Sequence, residues 1–203
     1  MRGPLRENLL PSSVAERARA LSRAEFVQTM GAPILLVAVE TATSELAMTL
    51  QTMEAGAKVP LVPSMSFRTR SPDPDAPRAR RSEAPLTSAK LEARIARAPH
   101  VAVALRKRFG AAKDFSDRIS VGRALNNDIV LRHERVSKFH AWFECDEEDG
   151  YYVADAASRN GTSLNGDAVA DSLTLLRAGD TLRFGGVEAV VCSPEVFWHA
   201  VSA

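Results

Sequence analysis

Aromatic residues are scarce, at 6% of the 203-residue chain, and there are only two cysteines. Cys145 and Cys192 cannot build a disulfide framework, and neither stands in the paired Cys/His spacing of a zinc site. A reducing, cytoplasmic setting is the expectation. Long hydrophobic runs are missing too. The longest, Gly31 to Val39 (GAPILLVAV), is about half of what a membrane span needs and ends at Glu40. It also lacks the basic start and cleavage site of a signal peptide, so it reads as a buried strand or helix. No excess of one charge is present either, since 26 Lys+Arg against 25 Asp+Glu leave +1. The halves differ, however: residues 1–100 carry +4 and residues 101–203 carry −3. Neither is a binder of bulk polyanions. Residues 1–68 hold no His, no Cys and no Gly-rich phosphate loop, which argues against an enzyme hidden there.

What is present falls into three stretches. Residues 12–30 have a helical pattern, with Ser12 or Ser13 as N-cap, Glu16 as the capping-box partner of Ser13, and Pro33 limiting its extension. From Ile34 to Met53 two patterns compete. Ile34 to Val39 suits a strand, Leu46 to Met53 suits a helix, and the stretch as a whole is read as helical. Between Thr69 and Pro85 four prolines alternate with Arg and Asp, as in a linker. A short helix is expected over Ser88–Ala98, stopped by Pro99. The expected division is therefore 1–68, a partly helical region of unknown role; 69–98, a Pro/Arg-rich linker and short helix; and 99–203, a separate domain.

Beyond Pro99 the hydrophobic period changes from 3.6 to 2. Candidate strands are Val101–Arg108, Arg118–Gly122, Asp128–Leu131, Phe139–Glu144, Tyr151–Asp155, Thr162–Leu164, Ala168–Ala170, Leu173–Leu176, Asp180–Phe184 and Val187–Cys192. Pairs such as Asn160-Gly161, Asn165-Gly166 and Gly185-Gly186 stand between them and tolerate the positive φ of tight turns. This spacing points to an all-β, antiparallel sandwich of about ten to eleven strands. Ser193 to Val201 is a candidate closing helix.

The polar residues of this region recur in order: Gly122-Arg123, Asn126-Asn127-Asp128, Ser137-Lys138-Phe139-His140, Arg159-Asn160-Gly161-Thr162 and Asn165-Gly166, with Gly179-Asp180 downstream. That order and spacing resembles the forkhead-associated (FHA) domain, a phosphothreonine-peptide binding module, over about Val101 to Cys192. A phosphothreonine carries roughly −1.5 to −2 charge and strong acceptor oxygens, so its receptor needs fixed donors and no general base. Arg123 can offer its planar fork, Ser137 a hydroxyl and Lys138 a point charge. The resemblance implies that Asn160 pairs with the peptide backbone, that His140 braces the loops, and that Gly122 and Gly161 serve as backbone positions. It also implies that Arg135, two residues before Ser137, selects an acidic residue three places after the phosphothreonine; a solvated loop charge is the alternative. Arg159 replaces the Ser or Thr that many family members have before Asn-Gly. It either reinforces the phosphate site or points to solvent.

Other constellations read as structural. Trp142 and Phe143 alternate on a strand, so one ring faces the core. The acidic run Asp146 to Asp149 lacks the ligand spacing of a calcium loop. Cys145, His140 and Asp155 could be drawn as a catalytic triad, yet no oxyanion motif surrounds Cys145, which is expected to be a buried packing thiol. No catalytic residue, metal or cofactor is expected. The expected partner is a phosphothreonine-containing protein or peptide, such as a serine/threonine kinase or its substrates, and neither nucleic acid nor membrane. A second reading is an assembly protein whose FHA-like domain makes contacts independent of phosphorylation.

Overall fold

The computed structural model describes residues 13–39, 87–107, 118–146, 150–170 and 172–202. The Pro-rich linker, the helical pattern of Leu46 to Met53, and acidic residues 147–149 lie outside them. The elements in chain order are α1 (Ser13–Ala20), α2 (Arg23–Met30), β1 (Ile34–Ala38), α3 (Ser88–Ile95), β2 (His100–Ala104), β3 (Arg118–Gly122), β4 (Ile129–Val130) and β5 (Ala141–Cys145). They continue with β6 (Tyr151–Asp155), β7 (Thr162–Leu164), β8 (Asp167–Val169), β9 (Thr174–Leu175), β10 (Thr181–Phe184), β11 (Val187–Cys192) and α4 (Pro194–Ser202). The fold is thus mostly β, with two sheets and four helices among the described residues. One sheet has the order β2-β1-β11-β10-β7-β8 and the other β4-β3-β5-β6-β9. Every pairing with a defined register is antiparallel except the short parallel pair β3–β4.

All ten candidate strands are present, some with shifted ends, and β1 is an eleventh. Ile34 to Ala38 is a strand, which corrects the helical reading of that stretch. It lies between β2 and β11, with Val37 opposite both Val101 and Ala189. Its apolar run has no polar alternation because both faces are covered. Leu35 and Val37 enter the core between the sheets with Val103, Val121, Phe143 and Leu182. Ile34 and Leu36 face the opposite way, into a second core with Phe26, Met30, Leu91, Ile95 and Phe197 from the helices. The helices therefore form a third layer on the six-stranded sheet. Burial among these apolar groups pushes the Cys192 thiol up to about 12, which leaves it a packing group.

The helical expectation over 12–30 resolves into two helices. Leu21-Ser22 interrupts it because Ser22 starts a new helix, its hydroxyl accepting from the Glu25 N–H while the Glu25 carboxylate accepts from the Ser22 N–H at 3.0 Å. Gly31 ends α2 at φ 54°, in the left-handed conformation that glycine adopts without strain. The chain then enters β1 directly. Trp198 of α4 donates its indole N–H to the Leu21 carbonyl at 3.0 Å, fastening the closing helix to this corner.

On the outer face of the five-stranded sheet, Trp142 stacks on Phe139 with ring centroids 6.2 Å apart, and the Arg118 guanidinium lies 5.1 Å from the indole centroid. Its neighbour Phe143 faces the inter-sheet core. Cys145 is exposed and not a buried thiol, because it ends β5, where the strand leaves the sheet. No described helix is long and apolar enough to cross a membrane.

Candidate functional site

Three loops meet at one end of the sandwich: β3–β4 with Arg123, β4–β5 with Arg135 to His140, and β6–β7 with Arg159 to Gly161. Backbone bonds join the first two, Arg123 N–H to the Ser137 carbonyl at 2.9 Å and Ala124 N–H to the Lys138 carbonyl at 3.2 Å. This close approach explains the glycine before Arg123. A Cβ at Gly122 would collide with the Lys138 carbonyl and come within 2.9 Å of Asn127 Nδ2. Asn127, buried at 3% exposure, donates to the carbonyls of Ala124 and Lys138 at 2.8 and 2.7 Å. Asp128 accepts from the N–H and the hydroxyl of Ser120 at 2.8 and 2.7 Å. These two residues shape the loop that presents Arg123.

The third loop is tied in by Ser137 and His140. The Arg159 N–H donates to Ser137 Oγ at 3.0 Å. His140 is fully buried; its Nδ1 accepts the Ser137 N–H at 3.0 Å and its Nε2 lies 3.1 Å from the Gly161 carbonyl. A backbone N–H only donates and a carbonyl only accepts, so the ring is neutral with its proton on Nε2. Burial agrees, holding the imidazole below its ordinary 6.5, while the Gly161 carbonyl opposes this in part. His140 bonds the Ser137 backbone and not its hydroxyl, which is a bracing geometry and not that of a general base. Among the described residues no acceptor takes the hydroxyl's own proton.

Asp155, which ends the expected strand Tyr151–Asp155 and is not among the expected site residues, shapes the third loop from below. At 7% exposure it accepts from the Ser158 N–H and hydroxyl at 2.8 and 2.7 Å and from the Thr162 hydroxyl at 2.6 Å. Its signal was the Asp-x-x-Ser spacing, a side chain reaching a backbone N–H three residues on. Gly161 follows at φ 72° with open space around its α-carbon, so conformation and not crowding demands glycine there. Asn160 is exposed, and its amide donates to the Arg135 carbonyl at 2.8 Å.

The side chains of Arg123, Arg135, Lys138 and Arg159 are exposed and take no hydrogen bond or ion pair among the described residues. The structure brings the loops bearing all four together. The arrangement offers fixed cations, a hydroxyl donor and an exposed amide, and no activated nucleophile.

Residues 119–185 match the family described as FHA domain. Among similar solved structures, Mycobacterium tuberculosis EmbR in complex with a low-affinity phosphopeptide is 30% identical, over 38% of this chain and 20% of that one, with a TM-score of 0.35. The N-terminal FHA domain of Saccharomyces cerevisiae Rad53p in complex with a phosphothreonine peptide is 28% identical, over 40% and 72% of the two chains, with a TM-score of 0.36. An FHA domain from an Arabidopsis thaliana protein is 25% identical, over 45% and 73%, with a TM-score of 0.38. The similarity thus spans only a fifth of EmbR. No curated protein matches the chain at a significant level.

Proposed function

We propose that this chain, which carries an FHA domain at residues 119–185, reads phosphothreonine on a partner protein in serine/threonine kinase signalling and performs no chemical step of its own. One observation carries the reading. Arg123, Lys138 and the Ser137 hydroxyl sit on loops locked to one another, and none of the three spends its donors on another described residue. Cations left unpaired on braced loops are preorganised for an anion, because little ordering remains to be done on binding.

In this reading Arg123 grips two phosphate oxygens, Ser137 donates its hydroxyl and Lys138 adds charge. Asn160 exchanges or extends its bond from the Arg135 carbonyl to the peptide backbone. Arg159, adjacent to Asn160, faces the same ligand. Charge-assisted hydrogen bonds contribute about 1.5–3 kcal/mol each, against the ordering of a flexible peptide, so affinity near the micromolar range is expected. The setting is cytoplasmic, where the kinases act.

The test is binding of a degenerate phosphothreonine library, compared with the same library after phosphatase treatment. Selective retention of phosphopeptides, lost in Arg123→Ala, supports the reading. Equal retention before and after the phosphatase would sink it and favour a phosphorylation-independent assembly role.

A further inference from the structure

The loop from β4 to β5 turns tightly between His133 and Val136, where the Val136 N–H donates to the His133 carbonyl at 3.0 Å. Inside this turn both polar backbone groups of Arg135 are taken by side chains. Its N–H donates to His133 Nδ1 at 3.1 Å, and its carbonyl accepts the Asn160 amide at 2.8 Å. Accepting the N–H two residues on is the role that Asn and Asp side chains usually fill in turns. Here a half-buried imidazole fills it.

The turn between β10 and β11 is pressed against these same residues. Gly185 donates its N–H to the Gly161 carbonyl at 3.0 Å, the carbonyl that His140 Nε2 also reaches. A Cβ at Gly185 would strike the Arg135 carbonyl. Gly186 is a glycine for a different reason. Its φ is not positive, so conformation does not demand glycine there. Space does: a Cβ would stand 2.5 Å from Cε1 and 3.1 Å from Nε2 of the His133 ring. The bare α-carbon of Gly186 is thus the seat of the imidazole whose Nδ1 meets the Arg135 N–H.

Asn160 stands at the far end of this chain of contacts. Its amide has two N–H donors and one acceptor oxygen, and the Arg135 carbonyl takes one donor. Neither the second donor nor Oδ1 has a partner among the described residues. The bond to Arg135 therefore decides which donor and which oxygen remain for a ligand.

We propose that His133, seated on Gly186, is a positioning residue of the phosphopeptide site: it fixes the backbone of Arg135 and, through the Arg135 carbonyl, orients the Asn160 amide for the ligand's backbone. This rests on the phosphothreonine reading and deepens it, because it names what holds the peptide-pairing amide in place before the ligand arrives. Orientation set in the free protein spares ordering on binding.

The experiment uses the full chain in two measurements, one of which needs no ligand. In the first, the side-chain amide signals of Asn160, identified by their loss in Asn160→Ala, are followed in a proton–nitrogen correlation spectrum of the free protein. They should shift in His133→Ala and in Gly186→Ala and stay in place in His133→Asn, whose amide oxygen can accept the same N–H. In the second, fluorescence anisotropy gives the affinity for one phosphothreonine peptide. His133→Ala and Gly186→Ala should each weaken binding about fivefold, the scale of one net hydrogen bond, and His133→Asn should retain it. In an Asn160→Ala background neither change should cost anything further, which a general loss of stability would not reproduce. Gly186→Ala leaves the β4–β5 loop sequence intact and serves where His133→Ala fails to fold. Unmoved amide signals, unchanged affinity in both variants, or equal losses with and without Asn160 overturn the role of His133 while leaving the phosphate site standing. Failure of the parent protein to bind any phosphothreonine peptide overturns the reading of the site, and the ligand-orienting role with it, even where the amide signals move.

Discussion

His140 accepts the backbone N–H of Ser137 on Nδ1 at 3.0 Å, and the opposite nitrogen of the same ring reaches the Gly161 carbonyl. One buried imidazole therefore holds two of the three loops at a fixed separation. Its edge meets Phe184 at a centroid distance of 6.0 Å, so the ring is also a packing element.

His140→Ala should lower both stability and phosphopeptide affinity. It orphans the half-buried Ser137 N–H and leaves a cavity beside Phe184, each a loss of about 1–3 kcal/mol. Thermal melting and anisotropy titration check this. Affinity should fall even at temperatures where the variant remains folded, because Ser137 and Gly161 lose their common brace. Unaltered affinity in the folded variant would show that the brace is not needed.

Stability should fall in mild acid. Burial holds both His140 and His100 below the ordinary 6.5; His100 Nδ1 also lies 2.7 Å from the Ala98 carbonyl, an interaction that opposes the shift. The unfolded chain thus takes up protons near 6.5 before the folded protein does. The stabilisation is complete above that value and is lost as pH drops from it to the lowered folded values. Urea midpoints at about pH 7.5 and about pH 5.5 measure the loss, which His140→Gln should reduce in part, leaving the share of His100.

Most strands of the sandwich were legible because they bury one face or end at a glycine- or asparagine-marked turn. Asn165-Gly166 shows this well: Asn165 at φ 53° and Gly166 at φ 91° form the two-residue hairpin between β7 and β8. β1 was legible only as one of two alternatives, for the opposite reason. With a core on either side, Ile34 to Val37 carry no period of two, and the pairing partner nearest in sequence, β2, begins at His100. A hairpin connection of roughly 60 residues, where 2–5 are usual, hides the pairing of β1 with β2 from any reading of spacing. In the site, motif residues such as Arg123 and Ser137 stood out by type and order. Asp155 did not, because a loop-shaping carboxylate has the same local pattern as any turn.

Gly122→Ala should destabilise the protein by about 1–3 kcal/mol, the usual scale of overpacking. The added methyl would meet the Lys138 carbonyl, and neither backbone can yield without stretching the Arg123–Ser137 bond of 2.9 Å. Because that bond positions Arg123, phosphopeptide binding should weaken together with the melting temperature. Gly161→Ala should behave differently. It meets no atom within 4 Å, and its cost comes from φ 72° alone. A smaller loss, about 1 kcal/mol, is expected there. Equal losses in the two variants would contradict the distinction between crowding and conformation.

A fragment of residues 99–203, which starts where the β pattern starts, should fail to fold into a rigid sandwich. It lacks β1, so the edges of β2 and β11 that β1 pairs with are left open. It also removes Leu35 and Val37 from the inter-sheet core, and Phe26 and Met30 from the layer against Phe197. Burying a single large apolar side chain contributes about 1.5–3 kcal/mol, and losing these four is comparable with the 5–15 kcal/mol that stabilise an ordinary domain. Near-ultraviolet circular dichroism should be featureless for the fragment and structured for the whole chain. Leu35→Asp in the whole chain gives a finer measure, since it buries a charge at 1% exposure without touching the site loops. A cooperative melt of the 99–203 fragment at the temperature of the whole chain would show that β1 is dispensable.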